Sequence, residues 1–388
     1  MIEKDDDYDF DDDLDEEDEE DEEEEEEDEE DEEEEDDDYM DDEDEISESP
    51  MKISGSMKLP GGKINRDLRV SGSVTIDSDF ECEHLRASGS VSALGNITAH
   101  NGVRSSGSFN CRGSLFADDG VVKLTSSSNI EGDVILECMI KASGSLRIGG
   151  SLHAEDLARF SSSVSIGSDA VIDGDIKVSG GFSCGGLLTA EKSAHFSGSA
   201  EIGKDCVINE NLHSSGSFNC NGMLHVDENT HFSSSASIKN DVLISGFLHS
   251  SGSFKCGSSC EAEAGVKFTG SSKIKGNLSS ENTIDIMGRA IIGNNVTASN
   301  LYIGVHSKGM KTHLESRASR IEGNVSVQNQ VQLEDAYVNG DLRARTVDLL
   351  KNSGVVGTIY YADEFKAHKD AKYGDVVRID SEDLEEKE

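Results

Sequence analysis

Apolar residues recur in pairs along most of this chain, with one residue between the two members of a pair and about three residues between pairs. Val74 and Ile76 form one such pair, and Leu85 and Ala87 form another. Residues i and i+2 of a β-strand point to the same face, so each pair predicts a very short strand with two inward side chains. The positions between pairs are rich in Gly, Ser, Asn and Asp, which predicts tight corners.

Three such strands fill a repeat of about eighteen residues, which Ser/Thr-Gly/Ser-Ser/Gly triplets mark. The triplets begin at Ser54, Ser71, Ser88, Ser106, Thr125, Ser143, Ser161, Ser179, Ser197, Ser215, Ser233, Ser251 and Thr269. Successive triplets are 17, 17, 18 and 19 residues apart, and then 18 residues apart without exception. A short fixed period predicts a solenoid, in which one unit stacks on copies of itself. The predicted fold class is all-β: a three-sided parallel β-helix with about 18 residues per turn.

Large aromatic residues alternate between two inward positions of successive turns. One set precedes every second triplet and comprises Phe160, Phe196, Phe232 and Phe268. The other set follows the triplets of the intervening turns and comprises Phe182, Phe218 and Phe254. Close packing of stacked layers predicts this alternation, because equally large side chains on every turn would overfill one corner.

Charge divides the chain into three parts. Residues 1–50 hold 38 of the 80 acidic residues and a single base, Lys4, so they carry most of the net charge of -46. Such a segment cannot bury enough apolar surface to offset its ordering entropy. We predict a disordered polyacidic tail over residues 1–50, a β-helix of roughly 17 turns over residues 51–362 and a charged, frayed tail over residues 363–388.

The same composition bounds the compartment and the partners. Residues 1–50 contain neither a basic n-region nor an apolar h-region, and no stretch has the length of a transmembrane helix. Eight cysteines without a secretion signal predict free thiols and a cytoplasmic location. The acidic tail is expected to discourage contact with nucleic acid and anionic membranes.

The cysteines are predicted to fill the core. Seven of the eight fall on inward positions, and Cys138 falls in a corner. Cys256 and Cys260 have a CxxxC spacing, but they lack partners at the spacing of a zinc finger or ribbon. We therefore interpret the cysteines as small buried hydrophobic residues, and we expect neither a metal nor a cofactor.

A basic residue stands two positions before each triplet. The set comprises Lys52, Arg69, Arg86, Arg104, Lys123, Lys141, Arg159, Lys177, His195, His213, His231, His249 and Lys267. Each base lies between two inward residues, so the set predicts a cationic column along one outer side. Two interpretations remain open: long basic side chains that shield a β-surface from aberrant pairing, or a docking surface for a polyanion such as the acidic tail.

Motifs for catalysis are absent from the sequence. There is no GxGxxG, GxxxxGK[ST], GxSxG or HExxH. The serines fall mainly in corners, and no carboxylate is regularly spaced from the histidines. The sequence therefore predicts a protein that is not an enzyme.

Several segments resemble the bactofilins, which are polymer-forming cytoskeletal proteins of prokaryotes. They include Leu68-Arg-Val-Ser-Gly-Ser-Val-Thr-Ile, Gly95-Asn-Ile-Thr-Ala, Ile130-Glu-Gly-Asp-Val and Ile321-Glu-Gly-Asn-Val-Ser-Val. Val355-Val-Gly-Thr-Ile-Tyr-Tyr-Ala-Asp-Glu-Phe looks like the terminal coil of Gram-positive relatives. The resemblance covers roughly residues 51–362, although this coil is much longer than a single bactofilin core.

The resemblance implies a right-handed β-helix and filaments that form without nucleotide by end-to-end stacking. It also implies a scaffold whose partners are copies of itself and client proteins. Some family tails bind membranes, but a polyacidic tail gives no reason to expect membrane attachment here.

The alternative is a hexapeptide-repeat acyltransferase, which is a left-handed β-helix. Ile166-Gly-Ser-Asp-Ala-Val-Ile-Asp-Gly-Asp is similar to its repeat. That family needs a small residue two positions before the main apolar one, whereas Phe182, Leu212 and Phe218 stand there in this chain. We therefore favour the structural scaffold.

Overall fold

The computed structural model describes residues 49–304 and 318–384. These residues form a three-sided parallel β-coil of about 18 turns, which confirms the predicted fold class. The described residues contain no α-helix, and they end in a 3-10 turn at Ser381–Leu384. The predicted disordered tail, up to residue 48, lies outside the described residues.

Side A of the coil carries the first strand of each turn. Its short strands are Met51–Ile53, Leu68–Val70, Leu85–Ala87, Gly102–Ser105, Val121–Leu124, Met139–Ala142, Ala158–Phe160, Ile176–Val178, Ala194–Phe196, Leu212–Ser214, Thr230–Phe232, Phe247–Ser250, Gly265–Phe268 and Thr283–Ile286. Apart from Met51–Ile53 in the first turn, each of these strands pairs in parallel with its equivalents in the turns before and after it.

Side B carries the second strand of each turn. Its strands are Met57–Leu59, Val74–Ile76, Val91–Ala93, Phe109–Cys111, Ser128–Ile130, Leu146–Ile148, Val164–Ile166, Phe182–Cys184, Ala200–Ile202, Phe218–Cys220, Ala236–Ile238, Phe254–Cys256, Ser272–Ile274, Ala290–Ile292, Ser319–Ile321, Ala336–Val338, Gly354–Val355 and Lys372–Tyr373.

Side C completes each turn. Its short strands are Gly62–Lys63, Phe80–Cys82, Ile97–Ala99, Leu115–Ala117, Val134–Leu136, Leu152–Ala154, Ala170–Ile172, Leu188–Ala190, Cys206–Ile208, Leu224–Val226, Val242–Ile244, Cys260–Ala262, Leu278–Ser279 and Val376–Arg378. Four long strands pass from side C around the corner onto side A: Val296–Ile303, Val325–Leu333, Leu342–Leu349 and Ile359–Ala367.

Side chains fill the interior as the pairs of apolar residues predict. In most strands the first and third residues are buried and the middle residue faces solvent. The alternating phenylalanines meet across the core, since the ring centroids of Phe182 and Phe196 are 5.2 Å apart and those of Phe196 and Phe218 are 6.2 Å apart. The contacts continue through Phe232 to Phe254 and Phe268, with centroid distances of 5.3, 6.2 and 5.0 Å. Small residues such as Ser214 occupy the positions between stacked rings, which confirms the predicted volume compensation.

All eight cysteines are free and buried, which confirms their predicted place in the core. Cys138 is buried although it lies in a corner. Burial raises the pKa of the Cys82 thiol to about 12 and that of the Cys220 thiol to about 11. Cys220 also lies with its Sγ 3.2 Å from the carbonyl oxygen of Lys204, so the protonated thiol donates to a corner carbonyl. These thiols are protonated at neutral pH, and reactive cysteines require the opposite environment.

Polar side chains hold the corner between sides B and C. Asp79 accepts a hydrogen bond from the backbone N–H of Asn96 one turn later, and Asn96 accepts one in turn from Ser114, each at 2.8 Å. Equivalent bonds join Asp205 to the N–H of Met223 and Asp341 to that of Thr358. The corners are therefore rich in Asp and Asn because a short side chain with an oxygen satisfies a backbone donor of the next turn.

The coil differs from the sequence prediction towards its C-terminal end. Ile292 pairs with Ile321, so one step along side B spans 29 residues instead of 18, and residues 305–317 within that step lie outside the described residues. This insertion explains why the register in the sequence weakens after Ile286.

The predicted limit of the coil at residue 362 falls inside the strand Ile359–Ala367, and pairing continues to Arg378. Strand pairing therefore extends into the segment 363–388, which the sequence predicts to be a charged tail, and it ends at Arg378.

Candidate functional site: a basic column on side A

The thirteen predicted bases form one continuous column on side A. Each base is the direct parallel partner of the next, from Lys52 opposite Arg69 to His249 opposite Lys267. All thirteen are at least partly exposed, because each lies between two inward residues of its strand. The column ends where Lys267 pairs with Asp285. The geometry is a linear array of positive or titratable side chains spaced by about 4.8 Å.

The N-terminal part of the column borders a shallow groove of about 400 Å³. Lys52, Arg69, Arg86 and Arg104 line the groove together with hydroxyl groups of the serine triplets. The Nε atoms of Arg69 and Arg86 are covered, so these side chains lie along the coil rather than extending from it. Asp67 lies 3.6 Å from the guanidinium group of Arg69. A groove with guanidinium groups and hydroxyls suits an extended anionic chain.

Four consecutive histidines form a later part of the column, after Lys177 and before Lys267, and they stack on one another. The ring centroids of His195 and His213 are 4.8 Å apart, those of His213 and His231 are 5.0 Å apart, and those of His231 and His249 are 4.7 Å apart. Burial lowers the pKa of His213 from its usual 6.5, and the neighbouring His195 and His231 lower it further. The stack therefore favours a neutral central imidazole.

Acidification is expected to destabilise the coil at this histidine stack. Because the pKa of His213 is lowered in the folded state, the unfolded state binds more protons below pH 6.5, and stability falls as the pH drops through the lowered pKa. The variant His213→Gln should show a shallower loss of thermal stability between about pH 7 and pH 5 than the parent protein. The measurement is the midpoint of thermal unfolding as a function of pH, and equal slopes for the two proteins would reject this assignment.

A second charged group joins successive turns at the edge of side C. Glu81 Oε1 lies 2.6 Å from Lys63 Nζ and 2.7 Å from His100 Nε2. Asp118 contacts the other ring nitrogen of His100, and Asp118 and Glu81 together raise the pKa of His100. These four side chains include no serine or cysteine that could act as a nucleophile. We therefore interpret the group as a ladder of ion pairs that connects successive turns. Within the described ranges, no three or more His, Cys, Asp or Glu side chains are arranged to hold a metal ion.

Sequence reasoning missed the outward residues of the other two sides. Side B presents small polar side chains such as Ser92 and Asn110 over several turns. Side C presents an outward column in which apolar residues such as Ile135, Val171 and Leu243 outnumber the polar ones over several turns. The same eighteen-residue register contains this signal, because these residues, like the bases, each lie between the two members of an inward pair.

No protein family model, curated protein or solved structure matches this chain. In the part of the chain that the structure describes, no helix is long and apolar enough to cross a membrane. The fold and its surfaces therefore provide the basis for a functional assignment.

Proposed function

We propose that this protein is a cytoplasmic structural scaffold of the bactofilin type that assembles into filaments without nucleotide, by end-to-end stacking of its β-coils. The observation that carries this proposal is the open edge at the N-terminal end of the coil. Among residues 49–304 and 318–384, the strands Met51–Ile53, Met57–Leu59 and Gly62–Lys63 each pair with one neighbouring strand, which belongs to the second turn.

The backbone of the first turn presents hydrogen-bonding groups along the coil axis. Met51 donates its N–H to Asp67, and Ile53 accepts at its carbonyl from Ser71, both in the second turn. Alternate residues of a parallel strand bond to opposite neighbours, so the N–H and carbonyl groups of Lys52 point away from the coil. The same holds for Lys58, because Met57 and Leu59 bond to the second turn. An edge with free donors and acceptors is a template for another strand.

The lysine side chains of this edge point back towards the second turn. Lys58 reaches back to Asp77 of the second turn at 2.9 Å, and Lys63 reaches back to Glu81 at 2.6 Å. Met57 is 44% exposed beside them. Within the described part of the chain, this end therefore combines backbone groups that no neighbouring strand pairs with and the exposed Met57 side chain, both of which a further turn from another copy would cover.

The C-terminal end also has strands with one partner each. In the described residues, Lys372–Tyr373 and Val376–Arg378 pair with the preceding turn alone. Phe365 packs between Tyr361 and Tyr373, with centroid distances of 5.9 and 5.2 Å, and Tyr373 is 46% exposed. An aromatic surface at this end supports stacking of coils, although the 3-10 turn at Ser381–Leu384 lies beside it.

The test is polymerisation of the purified protein in buffer free of nucleotide. Sedimentation and negative-stain electron microscopy should show unbranched filaments above a critical concentration. A discrete trimer would instead favour an acyltransferase, because those enzymes commonly form their sites between subunits.

We also propose that the basic column docks the acidic N-terminal tail, from the same chain or from a neighbouring copy. The column holds nine lysines and arginines and four histidines, and the tail supplies 38 acidic residues. Deleting residues 1–45 is therefore expected to change the critical concentration at low salt and to have little effect at high salt, where charges are screened. The measurement is sedimentation across a salt series. Identical assembly with and without the tail at low salt would exclude docking.

A further inference from the structure

The outward column of side C is free of acidic, lysine and arginine residues over eight consecutive turns. Its members, each the parallel partner of the next, are Phe116, Ile135, His153, Val171, Thr189, Val207, His225 and Leu243. All are partly exposed, and Ile135 is 42% exposed. The interior of the coil is already filled by the other residues of these strands. Five of the eight are apolar, and of the three polar members His225 lies with its Nε2 2.7 Å from Asp227 Oδ1. An outward row that is mostly apolar and that the core does not need is typical of an interaction site.

The order of residues along this column is nearly symmetric about Thr189. Val171 and Val207 lie one turn before and one turn after it, and His153 and His225 lie two turns away. Ile135 and Leu243 lie three turns away. A surface used by two identical copies in a two-fold dimer must be complementary to itself, and a column that reads alike in both directions meets that requirement when the coils run antiparallel.

We propose that side C binds a second copy of this chain, antiparallel and face to face, with Thr189 on the two-fold axis. In this arrangement Val171 packs against Val207 of the second copy, and Ile135 packs against its Leu243. About fifteen turns overlap, which gives a contact roughly 70 Å long and 10 Å wide. The total buried surface is then about 1,400 Å², within the range of stable interfaces.

Charges at the ends of the column agree with antiparallel packing. Outside Ile135 and Leu243, the residues that would face each other are Phe116 and Glu261, Thr98 and Ser279, Glu81 and Thr297, and Lys63 and Ser326. None of these pairs joins like charges. Parallel packing in register would instead place Lys63 on Lys63 and Glu81 on Glu81, which is unfavourable.

The corner that follows side C gives this dimer a distinct salt dependence. Acidic residues line that corner, namely Asp118, Glu137, Glu155, Asp173, Glu191 and Asp227. Antiparallel packing brings the acidic corners of both copies to the same edge of the interface. Added salt screens their repulsion, so the dimer should tighten with salt, whereas docking of the acidic tail on the basic column should weaken.

Cysteine cross-linking of the full chain tests the orientation and the register. The variant Thr189→Cys places one thiol on the axis, where a short bismaleimide can join the two copies across a sheet spacing of about 10 Å. The matched control is Thr98→Cys, whose two thiols would be about 48 Å apart, since Thr98 lies five turns from Thr189. All eight native thiols are buried, so they contribute little background.

We expect covalent dimers on a denaturing gel for Thr189→Cys and almost none for Thr98→Cys. The yield for Thr189→Cys should rise at least twofold from low to high salt. Absence of the Thr189→Cys dimer, or equal yields from the two variants, overturns the proposal. The cross-link does not require the coils to stack end to end, so its outcome is separate from that of filament formation.

A charge pair across the axis provides a second readout. Val171→Lys and Val207→Glu each place a charge against a valine of the other copy, and each should lower the Thr189→Cys yield at least fivefold. In the double variant the introduced lysine of each copy faces the introduced glutamate of the other, so most of the yield should return. Failure of the double variant to recover would show that these two positions do not face each other.

Discussion

Replacing Phe218 with alanine is expected to destabilise the coil by about 3–5 kcal/mol, the cost of removing a fully buried aromatic side chain. Phe218 is 0% exposed, and its ring contacts those of Phe196 and Phe232 at centroid distances of 6.2 and 5.3 Å. The neighbouring turns are fixed by backbone pairing on both sides, so they cannot collapse into the cavity. Urea denaturation followed by circular dichroism measures the effect.

Phe116 provides the matched control for this substitution. It is the same residue type at an outward position of side C, where it is partly exposed. Phe116→Ala should cost less than about 1 kcal/mol, because a partly exposed surface side chain loses little on truncation. Equal losses for Phe218→Ala and Phe116→Ala would contradict the assignment of inward and outward positions.

A second substitution in the same turn tests the volume compensation itself. Ser214 is the small residue that accompanies Phe218, and it is buried between Phe196 and Phe232. Ser214→Phe alone should overpack the turn and cost about 1–3 kcal/mol. Combined with Phe218→Ala, it restores the volume of that turn, so the double variant should be more stable than the sum of the two losses predicts. Simple additivity would show that the two positions do not share space.

Proline at the first turn is expected to abolish filament formation and to leave the coil folded. In Lys52→Pro/Lys58→Pro the two axial N–H groups disappear and a ring occupies the place of the next strand. Neither N–H bonds within the coil, because Met51, Ile53, Met57 and Leu59 make the bonds to the second turn. The critical concentration should rise at least tenfold, which corresponds to about 1.4 kcal/mol.

Lys52→Ala/Lys58→Ala is the control for the proline variant. It removes the same two charges and the ion pair of Lys58 with Asp77, but it keeps both N–H groups. We expect this variant to polymerise nearly as well as the parent protein in a sedimentation assay. If the proline variant polymerises as readily as the alanine variant, stacking does not use the N-terminal edge.

Much of the fold follows from the sequence because the coil repeats one local rule. Pairs of inward residues such as Val164 and Ile166 define strands, and stacking of equal turns forces the intervening residues into columns. The column of thirteen bases is therefore a consequence of the period. The role of that column does not follow from the period, since shielding and docking require the same spacing of charges.

Other features depend on information that the repeat does not carry. The strands beyond residue 362 include Lys372 and Arg378, and charged composition there concealed their pairing with the preceding turn. The long strand Val325–Leu333 passes through a corner with a shift of register instead of a glycine turn. The outward column of side C does not follow from the pairs of apolar residues that predict the core. Phe116 and Val171 each lie between the two inward members of a pair, so neither contributes to the pattern of pairs.

The most direct test of end-to-end stacking is the diffraction pattern of filaments formed without nucleotide. If coils stack on their ends, the strands lie perpendicular to the filament axis, and oriented filaments should give a meridional reflection at about 4.8 Å. Electron microscopy of the same sample should show unbranched filaments. Discrete particles at all concentrations, or filaments that lack this meridional reflection, would contradict the account.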